Sequence, residues 1–202
     1  MVKEIKIYKN DVYILTYVYI YNLTMESEQT ALHVVKEMIM DRGYVIDDSP
    51  LSVNDEEDTY CIRAHNKTTE DVILCFMSSD EKLNIQGIKD KISILNKEGA
   101  TRCIIIYKSS VTSSAKKSLE TVNYEFELFA LHELQFNVTK HRLVPRHERV
   151  TPDEKAELDK NYKGKLPILL HTDAISRYYG FHKGEYIRIT RKNGSICYRL
   201  VK

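Results

Sequence analysis

The spacing of hydrophobic and polar positions changes several times along the chain, and each change marks a predicted element. Residues 3–21 alternate or run apolar and are rich in β-branched and aromatic side chains, which predicts a strand. A helix is expected next, because Thr24 can cap its first turn and the apolar positions of 31–39 fall on one face. Gly43 marks the expected end of that helix.

The middle of the chain has the pattern of an α/β domain. Residues 72–77 and 103–107 are continuous apolar runs, as expected of strands buried on both faces of a sheet. Apolar residues at helical spacing predict a helix from 85 to 99 between them, so the two strands should be parallel. A second helix is predicted over 113–122, and alternating apolar residues predict a strand at 134–138.

The C-terminal third of the chain predicts a compact α+β module. A helix-start pattern occupies 151–154, where threonine, proline and acids follow one another. An edge strand is expected at 166–170, since its proline cannot donate a ladder hydrogen bond, and a short helix is expected over 173–180. Two alternating runs flank Asn193-Gly194, so residues 185–201 are predicted to form a β-hairpin.

Charge separates the two ends of the chain. The whole chain has 30 Lys and Arg against 29 Asp and Glu, which excludes a histone-like excess of positive charge. Residues 1–140 carry 16 basic and 22 acidic side chains, whereas 141–202 carry 14 and 7, a net charge of −6 against +7. This asymmetry predicts two domains, 1–140 and 141–202, with different partners. The acid-rich segment 47–58 is interpreted as an exposed loop.

Nothing in the sequence indicates a membrane, a secretory leader or a metal. The longest apolar run, 12–21, has roughly half the length of a membrane helix, and the first four residues include an acid. None of the four cysteines has a partner at metal-ligand spacing, so reduced core thiols are expected. A soluble, intracellular protein is therefore predicted. The cysteines are Cys61, Cys75, Cys103 and Cys197.

Candidate catalytic chemistry is sparse. The sequence has no glycine-rich phosphate loop and no G-x-S-x-G motif. Asp71 followed by Asp80 and Lys82 has the pattern of a metal-dependent nuclease, in which two carboxylates hold Mg²⁺ and the lysine steadies the attacking water. The residues favour another interpretation, in which Asp80 starts the following helix with Glu81 in its first turn. The nuclease is kept as an alternative function.

Two basic segments are candidate binding surfaces. Residues 108–117 combine lysines, hydroxyls and a predicted helix N-terminus, which phosphate oxygens favour, although an ordinary capped loop explains them equally well. The terminal hairpin combines Arg and Lys with tyrosines, a composition typical of protein interfaces or of plain surface charge. The basic residues of the hairpin are Lys183, Arg188, Arg191, Lys192 and Arg199, and the tyrosines that form a patch with them are Tyr178, Tyr179, Tyr186 and Tyr198.

Several short motifs carry a resemblance to a known family. The C-terminal third contains Leu143-Val144-Pro145-Arg146-His147, Thr151-Pro152-Asp153-Glu154-Lys155, Leu166-Pro167-Ile168, Asp173–Gly180, Lys183-Gly184 and Tyr198–Val201. The first half adds Asp41-Arg42-Gly43-Tyr44 and Thr112–Lys117. In order and spacing these segments resemble the fifth-largest subunit shared by eukaryotic nuclear RNA polymerases, whose C-terminal domain alone corresponds to a small subunit of the archaeal RNA polymerase.

The resemblance implies a non-catalytic subunit of a multisubunit DNA-directed RNA polymerase, with no cofactor, metal or small-molecule substrate of its own and no membrane partner. It implies an α+β fold in two domains. The N-terminal α/β/α domain would be restriction-endonuclease-like without nuclease activity, and would form a lower jaw near downstream duplex DNA during transcription. The small C-terminal assembly domain, ending in a β-hairpin, would dock on the largest subunit.

The resemblance also implies roles for individual residues. Weak, DNA-proximal contacts within the complex are expected from Lys108, Thr112, Ser113, Lys116 and Lys117. Contacts with the largest subunit are expected from His147, Pro167, Asp173, Arg177, Tyr178, Gly184, Arg191 and Arg199.

Departures from the family pattern leave the source open. Ala174 and Ser113 replace family prolines, and the hairpin turn at 191–194 is shortened. A shortened, divergent copy would suit a large DNA virus with its own polymerase. The expected location is the nucleus for a cellular protein, and the host cytoplasm or nucleus and the virion for a viral one. A free adaptor protein outside any polymerase is the second alternative function.

Overall fold

The protein is a mixed α+β chain with several sheets. The structure, a computed structural model, describes residues 9–47, 61–78, 80–162 and 165–202. It divides into two compact units, one formed from Met1–Lys36 and Tyr44–Phe136 and the other from Glu37–Gly43 and Asn137–Lys202. The predicted α+β class is confirmed.

The first helix, α1, spans Lys9–Asp41 and replaces a predicted strand. The strand prediction for 3–21 is wrong over 9–21, and 3–8 lie outside the described residues. No glycine or proline precedes Gly43, and a helix, once nucleated, gains one hydrogen bond for each residue added, so local β propensity does not stop it. The predicted end is right, because Gly43 adopts a φ of 87°.

The first unit contains a five-stranded sheet in the order β1-β2-β3-β5-β7 and a small pair, β4-β6. The strands are β1 (Tyr44–Ile46), β2 (Cys61–Asn66), β3 (Val72–Met77), β4 (Lys82–Leu83), β5 (Arg102–Tyr107), β6 (Ser110–Val111) and β7 (Glu125–Ala130). The helices are α2 (Ile85–Glu98) and α3 (Ser113–Thr121). Most of the acid-rich segment 47–58 lies outside the described residues.

The predicted α/β pattern is confirmed in this unit. β3 pairs in parallel with β5, and β5 with β7. Both predicted apolar runs are buried, and Leu74, Phe76 and Ile105 lie in the core beneath α2 and α3. The strand predicted at 134–138 is wrong, because 131–134 and 138–140 are 3-10 turns. The sequence pattern did not indicate β7 because its outer positions are glutamates, one of which, Glu125, pairs with Arg102 of β5 at 3.0 Å.

The start of α2 also differs from the expectation. Its N-cap is Asn84, whose side chain accepts a hydrogen bond from the Gly87 amide at 2.8 Å. Asp80 lies four residues earlier, before β4, and does not cap the helix. The end at Gly99 is as predicted, with a left-handed φ of 65°.

The second unit contains a four-stranded sheet in the order β8-β10-β11-β9. Its strands are β8 (Arg146–Arg149), β9 (Ile168–Leu169), β10 (Tyr186–Thr190) and β11 (Ile196–Val201), and its helices are α4 (Pro152–Tyr162) and α5 (Ala174–Tyr179). The predicted edge strand, both helices and the hairpin are confirmed. The hairpin closes through the Arg191 amide, which donates to the Ser195 carbonyl at 2.9 Å.

The two faces of this sheet have different partners. Tyr198 donates a hydrogen bond to Glu154 of α4 at 2.7 Å, and Tyr186 donates to Asp159 of the same helix. Side chains alternate along a strand, so Ile187 and Ile189 point to the opposite face. There they form a small core with Phe181, among others.

The last turn of α1 belongs to this second unit and supports α5. Arg42 donates through Nε to the Tyr178 carbonyl at 2.8 Å and through Nη2 to the Arg177 carbonyl at 2.7 Å. These carbonyls end α5, where a cation also favours the helix dipole. Gly180 caps α5 in a left-handed conformation, and a Cβ at this position would lie 3.2 Å from the Arg42 guanidinium carbon. In the part of the chain that the structure describes, no helix is long and apolar enough to cross a membrane.

Candidate functional site

An open groove of about 290 Å³ lies on the face of the C-terminal sheet opposite α4. We call it the C-terminal groove. Its lining is Leu143, Val144, Pro145, His147, Leu169, Asp173, Ile175, Ile189, Arg191, Cys197 and Arg199. A second open recess, of about 350 Å³, adjoins it along the hairpin turn, where Arg142, Lys192 and Asn193 join Leu143 and Arg191.

Strand register positions the groove. Ile189 of β10 lies opposite His147 of β8 on one side and Cys197 of β11 on the other. Directly opposed residues share a face of the sheet, so the three side chains form one row. Arg199, two positions beyond Cys197, points to the same face. The helix α5 closes one side of the groove with Ile175, which is buried.

The rim of the groove carries positive charge that no acid in the described part of the chain neutralises. Arg142, Arg191 and Lys192 are exposed and form no ion pair within the described part of the chain. The acid in the lining is Asp173, whose Oδ1 accepts a hydrogen bond from the Ile175 amide at 2.9 Å and so caps α5. The rim near the hairpin turn is therefore cationic.

His147 is a neutral part of the lining. It is 9% exposed, and its Nδ1 lies 2.8 Å from the Pro145 carbonyl, so Nδ1–H is the donor there. Burial lowers the pKa of His147, and Arg199 lowers it further. The ring thus contributes apolar surface and shape to the groove at neutral pH.

The structure brings together four of the residues expected at a subunit interface and separates the other four. His147, Asp173, Arg191 and Arg199 line the C-terminal groove. Pro167 is exposed before β9, Gly184 is exposed with a φ of 90°, and Arg177 is half-buried on α5. Tyr178 is placed elsewhere, inside the second unit.

Tyr178 is only 3% exposed and holds the second unit together. Its hydroxyl donates to Asp41 at 2.7 Å and accepts from the Asn137 amide at 2.8 Å. Burial and the Asp41 carboxylate raise the pKa of Tyr178, so the phenol stays protonated. Two further tyrosines, Tyr186 and Tyr198, are likewise bonded to acids of α4. The tyrosines are thus mainly internal supports.

Sequence reasoning missed several residues of the groove. Leu143 forms its outer wall, Ile189 and Cys197 form its floor, and Arg142 lies in the adjoining recess. The Leu143-Val144-Pro145 motif was a usable signal, because two of its residues are apolar yet belong to no predicted core element. Leu143 is 75% exposed.

The second candidate surface surrounds the start of α3. Thr112 is the N-cap, and its Oγ1 accepts a hydrogen bond from the Ala115 amide at 3.3 Å. Ser113, Lys116 and Lys117 are exposed. Lys108 differs, because its Nζ lies 2.8 Å from a carboxylate oxygen of Glu28, which is 7% exposed.

The residues of the nuclease alternative do not assemble. Asp71 precedes β3 and Asp80 follows it, so the six strand residues between them span about 20 Å. Asp71 accepts a hydrogen bond from the Thr69 hydroxyl at 2.9 Å. Among the described residues, no group of three or more His, Cys, Asp or Glu is placed to hold a metal ion.

Comparison with known proteins decides the family. The family model of the RNA polymerase Rpb5 C-terminal domain matches residues 136–201. Subunit RPABC1 of DNA-directed RNA polymerases I, II and III from Caenorhabditis briggsae is 33% identical over 83% of this chain and 92% of its own length. This chain belongs to the RNA polymerase Rpb5 family. The corresponding Rpb5-type subunit from Dictyostelium discoideum is 34% identical over 82% of this chain and 92% of its own.

Membership in the Rpb5 family confirms the resemblance and the prediction of a non-catalytic polymerase subunit. The Arabidopsis thaliana subunit 5A of DNA-directed RNA polymerase V is 30% identical over 76% of each chain. Among solved structures, the restriction endonuclease MspJI aligns with 89% of this chain and 39% of its own, with 13% identity and a TM-score of 0.40. A TM-score of 0.40 does not establish a shared fold, so the restriction-endonuclease-like fold stays a prediction.

Proposed function

We propose that this Rpb5-family chain is a structural subunit of a DNA-directed RNA polymerase that docks on the largest subunit through its C-terminal domain. The domain boundary near Lys140 and the separate roles of 1–140 and 141–202 are part of this proposal. The observation that supports it is the C-terminal groove, inside the region that the family model matches: its floor is apolar, and the cations beside it form no ion pair with any acid that the structure describes. Such a surface has the composition of a protein interface.

The N-terminal domain is proposed to form the lower jaw near downstream duplex DNA. Lys116 and Lys117 are exposed at the start of α3, beside the hydroxyl of Ser113. Two lysines give only a weak, salt-sensitive contact with phosphates, and Lys108 is already paired with Glu28. The jaw therefore contacts DNA only where the rest of the polymerase holds the duplex in place.

The proposed cellular location of the protein is that of the polymerase to which it belongs. A cellular copy works in the nucleus, and a viral copy works in the host cytoplasm or nucleus and enters the virion.

The deciding experiment is affinity purification of the tagged full chain from its own cells, followed by mass spectrometry. We expect the largest polymerase subunit and other polymerase subunits to be recovered together. Recovery of other proteins without any polymerase subunit would overturn the proposal in favour of a free adaptor.

A second measurement separates the jaw from an independent DNA-binding role. The purified chain alone should bind duplex DNA weakly or not at all near 150 mM salt, since few phosphates are neutralised. Tight, sequence-specific binding in a gel shift would contradict the proposed jaw.

A further inference from the structure

The C-terminal groove also indicates the chemistry of the segment that occupies it. We propose that it binds a segment of the partner polymerase subunit in which a large apolar side chain enters the floor and an acidic side chain meets the rim at the hairpin turn. This inference rests on the docking role proposed above and specifies its site.

Leu143 is the most exposed part of the apolar surface of the groove. Its side chain is 75% exposed, and it stands beside Val144 and Pro145 at the mouth of the groove. Ile189 and Cys197 continue the apolar surface below it. Covering this continuous surface removes apolar area from water, which favours an apolar side chain in the groove. A volume of about 290 Å³ suits one or two side chains rather than a whole ligand.

The ion pairs of the second unit indicate that the bound segment carries an acidic side chain. Elsewhere in the second unit, Arg149 lies 3.1 Å from Glu185, and Arg188 pairs with Glu148 and Glu154. Both of these arginines therefore have acidic partners within the chain itself. It supplies none, in the described part, to the three cations at the hairpin turn. Those cations are Arg142, Arg191 and Lys192.

The positions of the charges give the occupant a direction. Asp173 lies on the α5 side of the groove, whereas Arg142, Arg191 and Lys192 lie at or beside the hairpin turn. An acidic side chain is therefore favoured at the turn and disfavoured beside Asp173, where like charges repel. A nucleic-acid backbone carries phosphates at every position and offers no apolar side chain for the floor, so a protein segment fits better.

Charge reversal at the turn tests the inference directly. The full chain is co-expressed with the largest subunit of its polymerase, and recovery of the complex is measured for R191E/K192E. K160E/K165E is the matched control, because it reverses the same number of exposed lysine or arginine charges in the same unit, outside the groove. We expect at least a tenfold loss of recovery for the first variant and wild-type recovery for the control.

Leu143→Asp tests the apolar half in the same assay. Leu143 is exposed, so the variant should fold, and an unchanged melting temperature would verify this. We expect a loss of recovery comparable to that of R191E/K192E. If both groove variants are recovered like the control while the wild type forms the complex, this inference is overturned and the docking role stands. If the wild type is not recovered with the largest subunit, the docking role itself fails.

Alkylation of Cys197 gives an independent readout in a Cys61→Ser background. Cys75 and Cys103 are buried, whereas Cys197 is half-buried on the groove floor. A maleimide should modify Cys197 in the free chain and at least tenfold more slowly in the complex. Equal rates would place the partner elsewhere.

Two measurements on the free chain exclude other occupants. A dimer in sedimentation that Leu143→Asp dissociates would identify a second copy as the occupant and overturn the inference. Binding of a 20-base-pair duplex that R191E/K192E abolishes would do the same in favour of nucleic acid.

Discussion

The two units of the molecule differ in where their exposed basic side chains lie, at the start of α3 in the first unit and beside an apolar groove in the second. In the first unit, Lys108 is paired with Glu28 and Arg102 with Glu125. In the second unit, several arginines are paired as well, but Arg142, Arg191 and Lys192 form no ion pair among the residues that the structure describes. Net charges of −6 and +7 predicted different partners for the two segments, but they could not show which charges are available. Availability depends on whether the fold places an acid within reach.

Some residues of the second unit stabilise its fold, whereas others only form its surface. The largest loss of stability is expected when a stabilising residue, Arg42, is replaced. Arg42→Ala removes two hydrogen bonds to the carbonyls that end α5. We expect the free energy of unfolding of the second unit to fall by about 2–4 kcal/mol, because both acceptors lose a charged donor. Arg142→Ala, an exposed rim change, should stay within about 0.5 kcal/mol. Hydrogen exchange of the α5 amides measures the loss of stability in both variants. Equal losses would contradict the proposed difference between a supporting residue and a surface residue.

A smaller loss is expected for Tyr178→Phe. The change leaves Asp41 and Asn137 without their shared hydroxyl at a site that is 3% exposed. We expect a cost of about 1–3 kcal/mol in urea denaturation. If stability is unchanged but complex recovery drops, Tyr178 acts at the interface as the sequence suggested.

A helix cap in the first unit gives the next effect. Asn84→Ala removes the side-chain acceptor of the Gly87 amide and should destabilise α2 by about 1 kcal/mol. Asp80→Ala is the control, since Asp80 caps no helix here, and its effect should stay within about 0.5 kcal/mol. A larger loss for Asp80→Ala would favour Asp80 as the start of the helix.

The exposed lysines of α3 should contribute least to stability. Lys116→Glu with Lys117→Glu should change the free energy of unfolding by no more than about 0.5 kcal/mol and leave assembly intact. The same variant should weaken the stability of elongation complexes at low salt, since it replaces attraction to phosphates with repulsion. Loss of assembly would instead place this surface at a subunit contact.

The last effect is confined to acid pH. Because burial lowers the pKa of His147, the unfolded chain binds more protons than the folded one just below the ordinary value of 6.5. The stability of the second unit should therefore be full above pH 6.5 and decrease as the pH falls below it. His147→Gln should flatten this decrease, whereas His171→Gln, an exposed control, should keep it. Melting temperatures between about pH 5 and 8 measure the effect.

Elements with local signals could be predicted from the amino-acid sequence alone. Asn193-Gly194 specified the hairpin, Gly99 and Gly180 specified helix ends, and the apolar runs specified β3 and β5, because turn chemistry and burial pattern act within a few residues. The family motifs likewise lie in short segments, so family membership could be predicted from them.

Features that depend on partners distant in the sequence could be recognised only from the folded chain. The extension of α1 through 9–21 overrode local β propensity, and the start of β7 was hidden by glutamates, one of which pairs across the sheet. The sequence placed Tyr178 in a candidate interface, whereas in the structure it is buried and its hydroxyl donates a hydrogen bond to Asp41. The C-terminal groove forms because the strand register places side chains of β8, β10 and β11 in one row beside residues 143–145. His147 of β8 and Ile189 of β10 are neighbours in the sheet but distant in sequence, so no local pattern records their pairing.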